Sequence, residues 1–249
     1  MTTLDMVLGT AGVNASEGYV VLLSGGLDST VLTYALVRYG CTVKALTVLY
    51  GQRHRREQEA ARAIAGALEI EHQVVDLASL RSILGSTCAL VNDEITVPEG
   101  HYEDQSMQAT VVPNRNMLLL SIATAWSVAL GLQGVAYAAH SGDHAIYPDC
   151  RPAFAEAMDC AIGLCDYRRP RLLRPFVSLR KTDIVRLGHG LGVPFERTWS
   201  CYNGRTLHCA KCGTCVERME AFRIAGISDP TAYEAAGSIQ LSGTPPLTS

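Results

Sequence analysis

Short runs of branched apolar residues alternate along the chain with longer segments of helical spacing. Residues 19–23, 42–49 and 71–75 sit between polar turns and read as buried strands. Residues 27–39, with Gly40 as stop signal, and the alanine-rich 55–68 read as helices between them. Further on, a strongly apolar helix is predicted over 114–130, ending at Gly131, and a strand over 134–139. A helix over 152–164, a short strand over 172–176 and a helix over 181–191 closed by Gly192 complete the pattern. Strand–helix alternation of this kind predicts an α/β fold, a mostly parallel sheet flanked by helices. Ligands of such sheets bind beyond the carboxyl ends of the strands. Residues 1–17 read as a loose lead-in, and 85–112, without a clear period, as a lid or contact segment.

Composition narrows the functional classes. The 249 residues are 48% hydrophobic and 18% charged, which suits one large folded unit and excludes disorder. A net charge of −3 disfavours a broad phosphate-binding surface, so no bulk nucleic-acid partner is expected. No apolar run approaches the roughly 18–20 residues that cross a bilayer, and no signal peptide is expected, since the start carries Asp5 and lacks a basic lead into an apolar core. A cytoplasmic setting without membrane contact is expected, where nine cysteines imply metal ligation or core thiols ahead of disulfides.

Between the first strand and the first long helix stands Ser24-Gly25-Gly26-Leu27-Asp28-Ser29-Thr30. Two glycines before a helix leave backbone N–H groups and the positive helix end free to cradle an anion, with Asp28 or Ser29 placed to cap. The Gly-Lys-Ser/Thr ending of a Walker loop is missing. The second strong signal is Cys201-x7-Cys209-x2-Cys212-x2-Cys215, the spacing of a closed four-thiolate zinc site, with an iron–sulfur cluster as the alternative. His208 reads as a surface histidine, and most of Cys41, Cys88, Cys150, Cys160 and Cys165 as small core residues. Asp143, His144, Tyr147, Asp149 and Arg151 cluster in a post-strand loop and can position a polar heterocycle, although Asp149 alone reads better as a cap for the helix it precedes. Arg115 and Asn116 either hold a carboxylate or phosphate or merely begin a helix. Arg168, Arg169, Arg171 and Arg174 read as a solvated face.

The glycine loop resembles the pyrophosphate loop of the ATP-pyrophosphatase (PP-loop) superfamily, whose members cleave ATP between its α and β phosphates. With Tyr50-Gly51-Gln52-Arg53-His54 and Glu57, Val112-Pro113-Asn114-Arg115-Asn116, Tyr147-Pro148-Asp149-Cys150-Arg151-Pro152, Lys181-Thr182-Asp183-Ile184 and Thr198-Trp199-Ser200-Cys201-Tyr202, the chain resembles the QueC family of the queuosine pathway over about residues 19–230. The resemblance implies an ATP-dependent ligase that converts 7-carboxy-7-deazaguanine and ammonia to 7-cyano-7-deazaguanine. It further implies magnesium with the nucleotide, a structural zinc and commonly a homodimer.

Carried over by position, Ser24, Gly25, Gly26, Leu27, Asp28, Ser29 and Thr30 would hold the phosphates, and Tyr50, Gln52 and His54 would line the nucleotide pocket. Arg115, Asn116, Asp143, Tyr147, Asp149 and Arg151 would face the deazaguanine, and the four cysteines the zinc. Ser24 and Asp28 are expected to be catalytic, with His54 or His144 as general base. The division implied is a lead-in over 1–17, a nucleotide-binding unit over 18–197, a zinc module over 198–230 and a tail over 231–249. No stretch is left for a glutaminase unit, which takes roughly 150–200 residues, so ammonia is expected free or from a partner. Two departures stand out: Asn114 where the family is expected to carry glycine, and Asp143-His144-Ala145-Ile146 ahead of Tyr147. Alternatives are a QueC-like enzyme that passes the activated deazaguanine to another amine, such as one on a protein, a tRNA-thiolating relative, and a non-catalytic zinc ribbon that binds nucleic acid.

Overall fold

In the computed structural model, which describes residues 3–84, 88–101, 104–204 and 206–234, five parallel strands form one sheet in the order β3-β2-β1-β4-β5. β1 (Gly18–Leu22) is central, paired with β2 (Thr42–Leu49) on one side and β4 (Gly134–Ala136) on the other. β3 (Glu71–Asp76) and β5 (Arg171–Leu173) close the edges. The strand order reverses at β1, so the loops leaving β1 and β4 diverge and open a crevice between them.

Alternate β1 residues feed opposite faces. Tyr19 and Val21 pack with α2 (Leu27–Arg38), α7 (Lys181–Gly190) and α8 (Gly213–Ala225). Val20 packs under α5 (Arg115–Ala129) and α6 (Pro152–Leu164). α3 (Arg56–Ala67) covers β2 through Ala61, Ile64 and Ala65 against Leu23 and Ala45. Removing these side chains from water drives the layering. A short helix α4 (Arg81–Leu84) follows β3.

One expectation needs correction. The expected loose lead-in over 1–17 is ordered from residue 3, because α1 (Thr3–Thr10) buries Leu8 completely, and Val13 joins it in the core. The irregular segment, expected as a lid or contact segment, is anchored from residue 88 on. Cys88, Ala89, Leu90 and Val91 are buried, and Glu99 pairs with Cys212 as an antiparallel bridge. Of the scattered cysteines, Cys41, Cys88 and Cys150 are buried, whereas Cys160 and Cys165 are exposed on and after α6. From residue 235 the expected tail lies outside the described residues.

Asn114 adopts φ 56 and ψ 23 ahead of α5, the left-handed conformation that glycine takes most easily and asparagine tolerates. The turn therefore survives the exchange noted in the sequence.

Candidate active site at the sheet switch point

The crevice at the carboxyl ends of β1, β2 and β4 is a cavity of about 250 Å³. Ser24, Gly26, Leu27, Asp28 and Ser29 form one wall. Gly25 makes this wall possible. Its φ is +84, and a Cβ there would collide with the backbone of Glu57 and Ala61 on α3. No side chain caps α2 in the structure. Instead the Ser29 hydroxyl bonds back to Ser24, at 3.3 Å from its amide and 3.0 Å from its hydroxyl, and shapes the loop. Thr30 is buried, its hydroxyl donating to the Gly26 carbonyl at 2.7 Å, so it braces the loop from behind.

Beside the loop sits a charged cluster assembled from four elements. Lys181, opening α7, lies 3.1 Å from Asp28 and 2.8 Å from Glu217 of α8. His140, after β4, is buried with Nε2 3.7–3.8 Å from Asp28, Asp143 and Glu217. Its Nδ1 accepts the Gly142 amide at 3.1 Å, which assigns the ring proton of the neutral form to Nε2. Burial raises the Asp28 pKa, but the charges of Lys181 and His140 outweigh it and hold the group below the ordinary value. Lys181 is desolvated too, yet the facing carboxylates hold its ammonium protonated well above the usual range.

The opposite wall carries Tyr50, Gln52, His54 and Glu57 around the start of α3, with Arg115 and Asn116 at the start of α5. Burial pushes the Tyr50 phenol up to about 12, partly offset by Arg115, and the Glu57 carboxyl up to about 7 against the same guanidinium. Desolvation lowers the His54 pKa, only partly opposed by the carbonyls of Cys201 and Tyr202. Three buried polar atoms of cavity-lining residues have no hydrogen-bond partner among the described residues: Asp28 Oδ1, Tyr137 Oη and His54 Nδ1. A buried polar atom left unpaired costs about 1–3 kcal/mol, so this cavity is built for a polar ligand.

The cysteine module closes the site from the C-terminal side. Cys201, Cys209, Cys212 and Cys215 are buried, with all four Sγ atoms within 4.8 Å of one another. Zinc bonded at about 2.3 Å to four sulfurs would hold them roughly 3.8 Å apart, so the set fits that ion with little movement. Amides of Asn203 and Cys209 point at Cys201 Sγ at 3.4 Å, and those of Lys211 and Cys212 at Cys209 Sγ at 3.4 and 3.3 Å. Such donors stabilise thiolates. The same segment reaches the glycine loop directly. The Trp199 amide donates to the Gly25 carbonyl at 2.9 Å, and Trp199, Ser200, Tyr202 and Thr214 line the cavity. Fully buried Arg218 ties this strip down through Thr198 Oγ1 at 2.7 Å, the Phe195 carbonyl at 3.0 Å and Asp229 at 3.3 Å.

The model of the family described as queuosine biosynthesis protein QueC matches residues 18–226. The chain belongs to the QueC family. A 7-cyano-7-deazaguanine synthase from Psychromonas ingrahamii is 45% identical over 88% of this chain and 99% of its own length. Proteins of the same name from Hahella chejuensis and Methanoregula boonei are each 48% identical, over 87% and 86% of this chain and 93% and 98% of theirs. Among solved structures, an NMN synthetase from Francisella tularensis superposes with a TM-score of 0.51 over 92% of this chain and 88% of that one. At 16% identity that likeness speaks for the fold alone.

In this QueC-family chain the residues singled out from the sequence divide into two groups. Ser24, Gly26, Leu27, Asp28, Ser29, Tyr50, Gln52, His54, Arg115, Asn116 and Asp143 come together on the cavity. His144, Tyr147, Asp149 and Arg151 do not line it. The Tyr147 hydroxyl is buried between Thr110 at 2.6 Å and Tyr202 at 3.1 Å. Asp149 accepts the Asn116 amide at 3.0 Å and so caps α5, not the α6 that it precedes. Arg151 donates to the His144 carbonyl at 2.8 Å. His208 is buried, not at the surface; its ring lies 4.3 Å from that of Trp199, and its Nε2 accepts the Ser200 amide. His140 and Glu217 were not anticipated. His140 adjoins the flagged loop and was legible as a titratable side chain after a strand, whereas Glu217 looks like any helical glutamate.

Proposed function

We propose that this chain is a 7-cyano-7-deazaguanine synthase, joining the carboxylate of 7-carboxy-7-deazaguanine to ammonia at the expense of ATP and carrying the amide on to the nitrile. The observation that carries the reading is the shared cavity. The glycine loop, a buried Asp28 oxygen without a partner among the described residues and the Arg115–Tyr137–Asp143 wall border one space, so a nucleotide and an acceptor can react there. Family membership over nearly the whole chain supports it.

The loop amides from Ser24 to Thr30 and the N-terminus of α2 receive the phosphates. Lys181 adds a fixed positive charge beside them, held by Asp28 and Glu217 until ligand arrives. Magnesium accompanying the nucleotide would be held at Asp28 and would neutralise phosphate charge. Tyr50, Gln52 and His54 flank the nucleotide, while Arg115, Asn116 and Asp143 meet the acceptor. Zinc in the four-cysteine site is structural, since four thiolates leave it no open position.

Two oxygens must leave the carboxyl carbon, and neither departs as hydroxide at useful rates. Adenylation makes each a leaving group: ammonia displaces the first AMP to give the amide, and the second leaves from the adenylated amide oxygen. The working form is a cytoplasmic homodimer using free or delivered ammonia. Among the described residues no helix is long and apolar enough to cross a membrane. The test is incubation with ATP and 7-carboxy-7-deazaguanine, with and without ammonium, followed by mass analysis. Nitrile formation only with ammonium is expected; no ATP consumption with this acid would overturn the reading.

A further inference from the structure

Resting on the reading above, we propose that Glu57 is the general base of both nitrogen-handling steps, receiving the proton from ammonia as the amide forms and from nitrogen as the nitrile forms. In the first step the C–N bond forms, the C–O bond to AMP breaks, and the surplus proton passes to the Glu57 carboxylate. In the second the amide oxygen leaves on AMP. The last N–H electron pair becomes the third C–N bond, and its proton passes to Glu57.

Position singles this residue out. Glu57 stands in the first turn of α3, with its backbone against Gly25 of the phosphate loop, and lines the cavity. Its carboxylate therefore borders the place where an adenylate is made. The other acids of the site are engaged: Asp28 and Glu217 pair with Lys181, and Asp143 and Glu217 face His140. Glu57 makes no hydrogen bond or ion pair with the described residues, and the charge of Arg115 alone opposes its burial. The groups facing it are few. Tyr50 is a neutral phenol beside Arg115, His54 is held neutral by burial, and Arg53 is spent on Asp93 and the carbonyls of Asn92, Asp93 and Ile95. Of the two histidines expected as base, His144 lies off the cavity, and desolvation weakens His54 as a base. Burial raises Glu57 to about 7, where a base is ionised at working pH yet strong enough to hold a proton.

The test uses the isolated primary amide with ATP, so that ammonium titration does not enter. Wild-type nitrile formation should rise with pH to a plateau through a pKa of about 7. Glu57→Gln should lose that limb and roughly 100-fold or more in nitrile rate, a clearly larger loss than in its single-turnover pyrophosphate release from ATP and the acid without ammonium. Stability gives an independent readout. A carboxyl raised from 4.5 to about 7 keeps in the folded state a proton that the unfolded chain has lost, so it weakens the fold as pH rises through that window. Glu57→Gln should therefore melt above wild type at pH above 7 and alongside it below 4.5. An ion-pairing role with Arg115 demands the opposite. Nitrile formation by Glu57→Gln at the wild-type rate, pyrophosphate release falling in step with it, or a lower melting temperature above pH 7 would each overturn the assignment. Wild-type protein that releases no pyrophosphate with the acid overturns the synthase reading itself, and is recognised by that arm alone.

Discussion

Asp28→Asn is expected to lower pyrophosphate release from ATP by roughly 100- to 1,000-fold, the range for loss of one preorganised charged group at a reacting phosphate or acyl centre. One Asp28 oxygen is 3.1 Å from Lys181, and the other is buried with no protein partner. The substitution removes the charge that would hold a cation with the phosphates and loosens Lys181 at the same time. The fold should persist, because Glu217 stays 2.8 Å from the ammonium and keeps it from being orphaned. The Asp28 pKa is depressed below 3.8, so its contribution to stability is present above that value and is lost as pH falls through the folded pKa. Melting curves of wild type and Asp28→Asn should thus converge in acid while pyrophosphate assays at neutral pH stay far apart. A folded variant with normal pyrophosphate release would remove the loop carboxylate from the chemistry.

Cys212→Ala is expected to cost the protein most of its stability. Structural zinc contributes about 10–16 kcal/mol of apparent binding energy in small zinc peptides, against a net domain stability of about 5–15 kcal/mol. Cys212 stands at the N-cap position of α8 and its backbone bridges to Glu99, so losing its thiolate removes the metal anchor at the point where the irregular segment and α8 meet. The damage should reach the nucleotide site through the bond from the Trp199 amide to the Gly25 carbonyl. Metal content and melting temperature are the measurements. A variant that loses zinc and melts with wild type would show that the cluster is not structural.

The central fold was legible because its signals are local. A branched apolar strand, two glycines and a helix start announce themselves within a dozen residues, as do cysteines three apart. Asn114, Gly131 and Gly192 could be read because positive φ is a property of single residues. The Lys181–Asp28–Glu217–His140 cluster was not, since nothing along the chain says that the starts of α2 and α7 meet α8. The same limit explains His144, Tyr147, Asp149 and Arg151. Their composition suggests a binding loop, but Tyr147 turns into the core and Asp149 serves a helix that starts more than thirty residues before it. For α1, burial of Leu8 depends on partners far along the chain, which a short polar-flanked segment does not advertise.

The most direct measurement is to offer the purified protein the isolated primary amide of 7-carboxy-7-deazaguanine with ATP and no ammonium. One pocket that adenylates carboxyl oxygen and then amide oxygen must accept this compound as a substrate. The expected result is conversion to the nitrile with release of AMP and pyrophosphate. An amide that stays inert, and that accumulates as the final product when the acid, ATP and ammonium are supplied together, would contradict nitrile synthesis and leave amine transfer as the activity.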